Sequence, residues 1–299
     1  MKKKCYLCLK TTTQIITNRE IRGKVKCKVF KCLVCELEYL DRNFVKVFLT
    51  DKFYKKDYVK LYDKSFFENK NNHYIKIYEK IKKYVKNKNI LEIGAGGGYL
   101  YHYLKKSAKS YEAVELSNKQ RNYLSKKFKI KTYPTIDSVE KKYDIVIIVS
   151  VLEHVTDPIN FLKNLKLLLK NKGKVIIECP SINDPLIKFY DVQEYKNFYY
   201  RPVHLNYFNR EHLIKIVKKS RFKLIKTFSI LVYSLTNHLQ WLYTNKRSEG
   251  SNSATNIKLP IKKKHNHLSK IFKKLNQLYF KELSKEKSAD LEVVICEKQ

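Results

Sequence analysis

The stretch Asn89-Ile90-Leu91-Glu92-Ile93-Gly94-Ala95-Gly96-Gly97-Gly98 decides how this chain folds. Its first five residues are mostly apolar and have the length of a buried strand. They run straight into a glycine cluster, in a chain with only 7 glycines. A glycine turn after a strand lets the backbone approach a ligand, and the start of a following helix offers free N–H groups. Residues Tyr99 to Lys106 read as that helix. A glycine loop alone is a weak signal, because dinucleotide sites use a similar one with another spacing. Glu115 sharpens it. It closes the next predicted strand, Ser110 to Val114, 17 positions after Gly98. A carboxylate there can hold both hydroxyls of a ribose. The pair points to a nucleoside-containing cofactor.

Working outward, helical and strand-like stretches alternate. Ile75, Tyr78, Ile81 and Val85 recur at helical spacing before the loop. After it come a helix over Asn118 to Lys127, a short strand near Ile130–Tyr133 and a strong strand over Tyr143 to Val149. Asp157-Pro158 opens a helix as N-cap and first residue. Its apolar face runs from Ile159 to Leu169, and Gly173 is its expected stop. Lys174 to Glu178 reads as another buried strand, Glu211 to Ser220 as a helix, Phe222 to Phe228 as a strand, and Leu291 to Cys296 as the last strand. This alternation predicts an α/β fold with a largely parallel sheet covered by helices on both faces.

The motifs resemble those of class I S-adenosylmethionine (SAM)-dependent methyltransferases. Leu91 to Gly98 is similar to their first motif, Val114-Glu115-Leu116-Ser117 to their second, and Tyr143-Asp144-Ile145-Val146 with Val151-Leu152-Glu153-His154-Val155 and Asp157-Pro158 to a later block. Lys172-Gly173-Lys174-Val175-Ile176-Ile177 resembles their fifth-strand entry, with Lys174 in place of a second glycine. The likeness covers about 88–230, and a last strand at 291–296 suits it. It implies a Rossmann-like, seven-stranded SAM methyltransferase sheet and SAM as cofactor. Gly94, Gly96 and Gly98 would face the methionine part, Glu92 its amino group and Glu115 the ribose; Leu116, in the same motif, would also contact the cofactor, and Ile136 and Asp137 would lie near the adenine.

Glu153 and His154 follow a strand at its C-terminal end, where open α/β sheets bind ligands. His154 is a candidate general base, since imidazole titrates near neutrality; the plainer alternative is that it only orients the loop. His204, in Arg201-Pro202-Val203-His204-Leu205-Asn206-Tyr207-Phe208, is similar to a block preceding a late helix in many small-molecule methyltransferases. His204 or Tyr207 would reach substrate from a lid-like segment, or else His204 packs as a structural residue. Asn209 is placed to cap the helix that follows.

Cysteines stand at 5, 8, 27, 32, 35, 179 and 296. An odd count with two C-x-x-C pairs is unlike a secreted disulfide framework. Cys5, Cys8, Cys32 and Cys35 have the spacing of a zinc ribbon, a closed structural site that staples a module too small for its own core. Cys27 is spare, and Cys179 and Cys296 sit in predicted strands as core residues. The organisation expected is a zinc-ribbon module over 1–42, a helical linker or lid over 43–87, the SAM-binding core over 88–230, a helical insertion with a basic, polar middle over 231–289, and the last core strand over 290–299. This architecture resembles bacterial sugar and surface-polysaccharide methyltransferases with a Cys-rich zinc module.

The formal net charge is +35, which invites a nucleic-acid reading. However, the excess is lysine: 8 of the 63 basic residues are arginine, the usual base reader. A compositional bias toward Lys, Asn, Ile and Tyr explains most of it; an anionic substrate or a membrane surface is the sharper alternative. No run of 18 apolar residues occurs, and the apolar run after Met1-Lys2-Lys3-Lys4 is too short for a signal peptide, so a cytoplasmic location is expected. The function expected is methyl transfer to a small molecule, a nucleotide-linked sugar or glycan, with aromatic residues at 190–200 suited to stacking on it. An RNA methyltransferase with a zinc module is the alternative, and a non-catalytic SAM-fold binding protein a third. Residues 225–245 carry apolar side chains that suit a core or dimer helix, or peripheral contact with a membrane. Oligomeric state and acceptor atom are not legible.

Overall fold

A computed structural model of the chain describes residues 2–22, 25–41, 73–246 and 266–299. The parts of the expected linker over 43–72 and of the polar middle over 247–265 lie outside the described residues. Seven strands form the main sheet: β5 (Asn89–Ile93), β6 (Ser110–Val114), β7 (Lys131–Tyr133), β8 (Tyr143–Val149), β9 (Leu169–Pro180), β11 (Phe222–Ile230) and β12 (Leu291–Lys298). Their order is β11-β12-β9-β8-β5-β6-β7. The five strands from β9 to β7 are parallel, and β12 lies antiparallel to both β9 and β11. This is the Rossmann-like methyltransferase sheet that the motif order predicts.

The central strands are continuous apolar runs because both faces of the sheet are covered. Side chains alternate along β8, so Val146 and Ile148 enter one core while Ile145, Ile147 and Val149 enter the other. The second core is closed by the helix His73–Val85 through Ile77, Ile81 and Val85. The first is closed by the helices Pro158–Leu165 and Arg210–Lys219. Cys179 and Cys296 are fully buried in it.

The N-terminal module docks onto that first core rather than standing apart. Its strands β1 (Lys2–Lys4), β2 (Thr11–Ile21), β3 (Val25–Cys32) and β4 (Glu38–Leu40) form an antiparallel sheet. A fifth strand, β10 (Asn206–Tyr207), joins it from the far side of the sequence and pairs with β4. Leu7, Phe30 and Leu37 share one apolar cluster with Phe208, Leu213 and Val294. The segment expected to be a lid is therefore the seam between module and core.

Two local expectations are corrected. The helix after the glycine loop is only four residues, Tyr101–Leu104, and the N–H groups of Gly94, Gly96 and Gly98 are taken by Val114, Glu115 and Ala95, so the loop offers a ligand space rather than a row of free donors. The helix opened by Asp157 ends at Leu165 and passes through a 3-10 turn, Lys166–Leu168. It stops early because Leu169 already pairs with Tyr143 in the sheet. Lys172 takes the left-handed turn (φ +57°), and Gly173 is needed for close approach: a Cβ there would sit 2.9 Å from the Lys170 carbonyl oxygen.

Candidate functional site

The glycine loop leaves β5 with positive φ at Gly94 (+76°), Gly96 (+54°) and Gly98 (+79°). Two of these glycines serve different purposes. A Cβ at Gly94 would fall 2.6 Å from Val151 Cγ2, so this glycine admits a neighbouring loop of the protein. Among the described residues, a Cβ at Gly96 would meet nothing within 4 Å. Gly96 thus borders open space, and its N–H donates to Glu115 Oε2 at 2.9 Å. Glu115 Oε1 accepts from the Ser117 N–H at 2.8 Å. The carboxylate is pinned at the C-terminal end of β6, with lone pairs left to accept further hydrogen bonds. Next to it in sequence, Leu116 is 64% exposed, an apolar side chain standing in the open. Ile136 and Asp137 lie in a 3-10 turn after β7, Ile136 half-buried against the core and Asp137 exposed.

Glu92 is buried within β5 and accepts a hydrogen bond from the Tyr111 hydroxyl. Burial pushes its carboxyl up to about 8, and the charge of Glu115 adds to the rise. A buried acid raised in this way is relieved by a cation, such as the ammonium of an amino acid moiety. The open face of Gly96 and the two carboxylates fit the parts of SAM.

At the end of β8 the 3-10 turn Leu152–His154 brings a second group together. Ligand-type atoms of Glu153, His154 and His204 all lie within 4.8 Å of one another. The Leu205 N–H donates to the Glu153 carbonyl at 2.8 Å, so β10 holds this turn in place. His154 Nδ1 is 2.7 Å from the Val203 carbonyl, which can only accept. The Nδ1 proton is therefore fixed there, and Nε2 is left as the acceptor, 3.9 Å from Glu153 Oε1. The His204 ring stands edge-on to His154, with centroids 4.8 Å apart. Burial holds His154 down at about 4 and His204 well below its ordinary value, with Arg201 adding to both. Both rings are neutral at pH 7. Burial and the charge of Glu178 push Glu153 up to about 8, and neither of its oxygens has a hydrogen-bond partner among the described residues.

Tyr207 packs against this group with its ring, whose centroid is 6.2 Å from that of His204. Its ring is buried, and its hydroxyl accepts from the Arg201 N–H at 2.9 Å and faces the Arg201 carbonyl at 3.3 Å. It is consumed in shaping the segment that carries His204. Sequence reading missed three residues here. Glu178 is fully buried in β9, and its Oε2 accepts from the N–H and the hydroxyl of Ser150 at 3.0 and 3.2 Å. Its signal was available: a lone acid inside the apolar run Val175-Ile176-Ile177-Glu178-Cys179. Tyr111 and Arg201 left no local signal, because only the fold sets them beside Glu92 and Glu153.

The four cysteines of the module converge from its two ends. Cys5 and Cys35 Sγ atoms are 3.7 Å apart, as are those of Cys8 and Cys32. A tetrahedral ion with Zn–S bonds of about 2.3 Å requires sulfurs about 3.8 Å apart, whereas a disulfide requires about 2 Å. The two knuckles are built alike. Leu9 (φ +62°) and Glu36 (φ +60°) each turn left-handed, and their N–H groups donate to Cys5 and Cys32 carbonyls at 2.9 and 2.8 Å. The donor set fits a zinc ion. Cys27 is buried in β3 apart from this cluster. His212 ties the second knuckle to the core, donating from Nε2 to the Cys35 carbonyl at 2.5 Å while Nδ1 accepts from the Asn209 N–H at 3.1 Å. Asn209 caps the helix Arg210–Lys219, as its sequence position predicts.

A family model described as "Methyltransferase domain" matches residues 66–227, more than half of the chain. The chain belongs to this methyltransferase-domain family. The matched part of the domain runs from before the helix His73–Val85 into β11. Among relatives, a tRNA U34 carboxymethyltransferase of Nautilia profundicola is 29% identical over 155 residues, 48% of this chain and 50% of that protein. A ubiquinone biosynthesis O-methyltransferase of Coxiella burnetii is 27% identical over 108 residues, 33% of this chain and 46% of that protein. The chain thus spans about half the length of these two relatives. A solved SAM-dependent methyltransferase of Archaeoglobus fulgidus is similar at 16% identity, covering 79% of this chain and 100% of that one with a TM-score of 0.49. Among the described residues, no helix of the methyltransferase domain or its neighbours is long and apolar enough to cross a membrane. In the 225–245 region, Val232 and Trp241 are buried, while Leu239 and Leu242 are partly exposed.

Proposed function

We propose that this protein transfers a methyl group from SAM to a small-molecule acceptor, a nucleotide-linked sugar or glycan, and that its four cysteines hold a structural zinc ion. One observation carries the reading: the open space beside Gly96 is faced by Glu115 at the end of β6, with the buried Glu92 close by. Glu115 would accept the ribose hydroxyls, Leu116, Ile136 and Asp137 would border the adenine, and Glu92 would balance the amino group. When bound, SAM supplies an electrophilic methyl group, and alignment accounts for much of the rate. The chain's own part in the chemistry falls to His154. Its Nδ1–H is anchored on Val203, so Nε2 is free to take the acceptor's proton, and Glu153, neutral at pH 7 before the transfer, would give up its own proton as the imidazolium forms beside it. His204 would line the same space.

A second reading, transfer to RNA, is favoured by the net charge of +35 and by the tRNA-modifying relative. The small acceptor is preferred because Glu153 and His204 are 1% and 6% exposed, and of the three residues only His154, with 24% of its side chain exposed, reaches the surface among the described residues. The test is calorimetric titration of SAM and S-adenosylhomocysteine into zinc-loaded protein, alongside Glu115→Ala. Micromolar binding that the substitution abolishes is expected. Failure of the folded wild-type chain to bind either compound at millimolar concentration refutes the reading. Methyl-acceptor screens of nucleotide sugars against RNA then separate the two acceptor classes.

A further inference from the structure

Arg201 links the Glu153–His154–His204 group to a small cavity of about 80 Å³. Arg22, Arg201, Tyr195, Phe198, Asn237 and Trp241 line it. Its size suits one functional group rather than a whole substrate, since complete ligand sites run to roughly 300–1,000 Å³. Among its described lining residues, none is acidic. Arginine is scarce in this chain, 8 residues of 299, yet two of them meet here. The Arg201 guanidinium forms no hydrogen bond or ion pair among the described residues, although it is half-buried and lies near the buried Glu153. Arg22 is held in place: its guanidinium lies over the Phe198 ring at 3.6 Å, and Nε donates to the Phe198 carbonyl at 2.7 Å. The walls are fixed as well. The Tyr195 hydroxyl donates to Asp184 Oδ2 at 2.6 Å, and the Tyr195 ring packs edge-on against Trp241 with centroids 5.0 Å apart.

We infer that Arg22 and Arg201 form an anion subsite that binds a phosphate or carboxylate group of the methyl acceptor. Guanidinium groups present planar forks of donors suited to these anions. Arg22 follows β2 of the N-terminal module, and the Arg22 N–H donates to the Tyr200 carbonyl at 2.9 Å. The module therefore contributes directly to the acceptor site as well as packing on the core. The Arg201 carbonyl accepts from the His204 N–H at 3.1 Å, so the subsite and the group beside the methyl donor share one short turn. The assignment of this anion to the acceptor rests on the methyltransferase reading proposed above.

Trp241 is the only tryptophan in the chain, so the cavity carries its own fluorescent reporter. Full-length, zinc-loaded protein is titrated with inorganic pyrophosphate, and separately with malonate, at constant ionic strength. The same titrations are made on Arg201→Ala, Arg201→Lys and, as a remote charge control, Lys226→Ala. Saturable change in Trp241 emission with one or both anions is expected, and the anion that binds more tightly distinguishes a phosphate-bearing from a carboxylate-bearing acceptor. Arg201→Ala should weaken binding at least tenfold, Arg201→Lys less, and Lys226→Ala hardly at all. S-adenosylhomocysteine affinity, measured by calorimetry on the same samples, should stay unchanged in all variants. This separates failure of the subsite from failure of the cofactor reading. Absence of saturable change with either anion, or equal response of wild type and Arg201→Ala, overturns the assignment.

Discussion

Replacing Gly96 by alanine separates the ligand-facing part of the glycine loop from its structural part. At φ +54° an alanine is strained by about 1–2 kcal/mol. Its methyl group meets nothing within 4 Å among the described residues, so no clash with them is added. In a chain of this size the melting temperature should fall by only a few degrees, at roughly 2–4 °C per kcal/mol. Gly94→Ala carries a similar backbone strain at φ +76° and also forces its Cβ to 2.6 Å from Val151 Cγ2. Overpacking of that kind adds about 1–3 kcal/mol, so Gly94→Ala should lose about twice as much stability. The order reverses for ligand binding. The Gly96→Ala methyl group projects into the space faced by Glu115, and a steric penalty of about 1–3 kcal/mol corresponds to a loss of about 5- to 150-fold in affinity. The assay is thermal unfolding of both variants without ligand, followed by calorimetry with S-adenosylhomocysteine. A Gly96→Ala protein that binds with wild-type affinity would show that the cofactor does not approach Gly96. Equal destabilisation by the two substitutions would remove the distinction between them.

The cysteine cluster predicts one zinc ion per chain by elemental analysis, reduced to well below that by Cys35→Ser, with chelator lowering the melting temperature of the wild type. The buried carboxylates predict a pH dependence. Glu92, Glu153 and Glu178 are raised to about 8, 8 and 7 from an ordinary value of 4.5, chiefly by burial. Their contribution to stability is fully present below pH 4.5 and is lost as pH rises through 7–8. His73, His154 and His238, lowered to about 4, act with the opposite sign, but only below their ordinary value of 6.5. Between pH 6.5 and 8 the cofactor-free protein should therefore lose stability as pH rises, by about 1 kcal/mol for each carboxyl group. Glu178→Gln should flatten the profile of melting temperature against pH; an unchanged slope would mean that Glu178 is ionised throughout.

The sheet was legible in the sequence because its causes are local. Apolar runs at 89–93, 143–149 and 174–178, each next to turn residues or a capped helix, leave little choice of topology once alternation sets in. Glu115 and the two C-x-x-C pairs were legible for a related reason, since their chemistry depends on fixed spacing within or between short elements. Boundaries were less so. The helix after Asp157 keeps its apolar periodicity to Leu169, but pairing of Leu169 with Tyr143 pulls the chain into the sheet first. Tyr207 carries the composition of a substrate contact, yet the seam between β4 and β10 turns its hydroxyl onto the Arg201 backbone. Residues far apart in sequence were beyond reach altogether. Arg22 meets Phe198, His212 meets Cys35, and Glu153 and His154 lie beside His204 only because β10 joins the N-terminal module to the methyltransferase domain. Local pattern is fixed by backbone and hydrophobic periodicity, which the sequence states directly. A site assembled across such a seam depends on long-range packing, which no single stretch encodes.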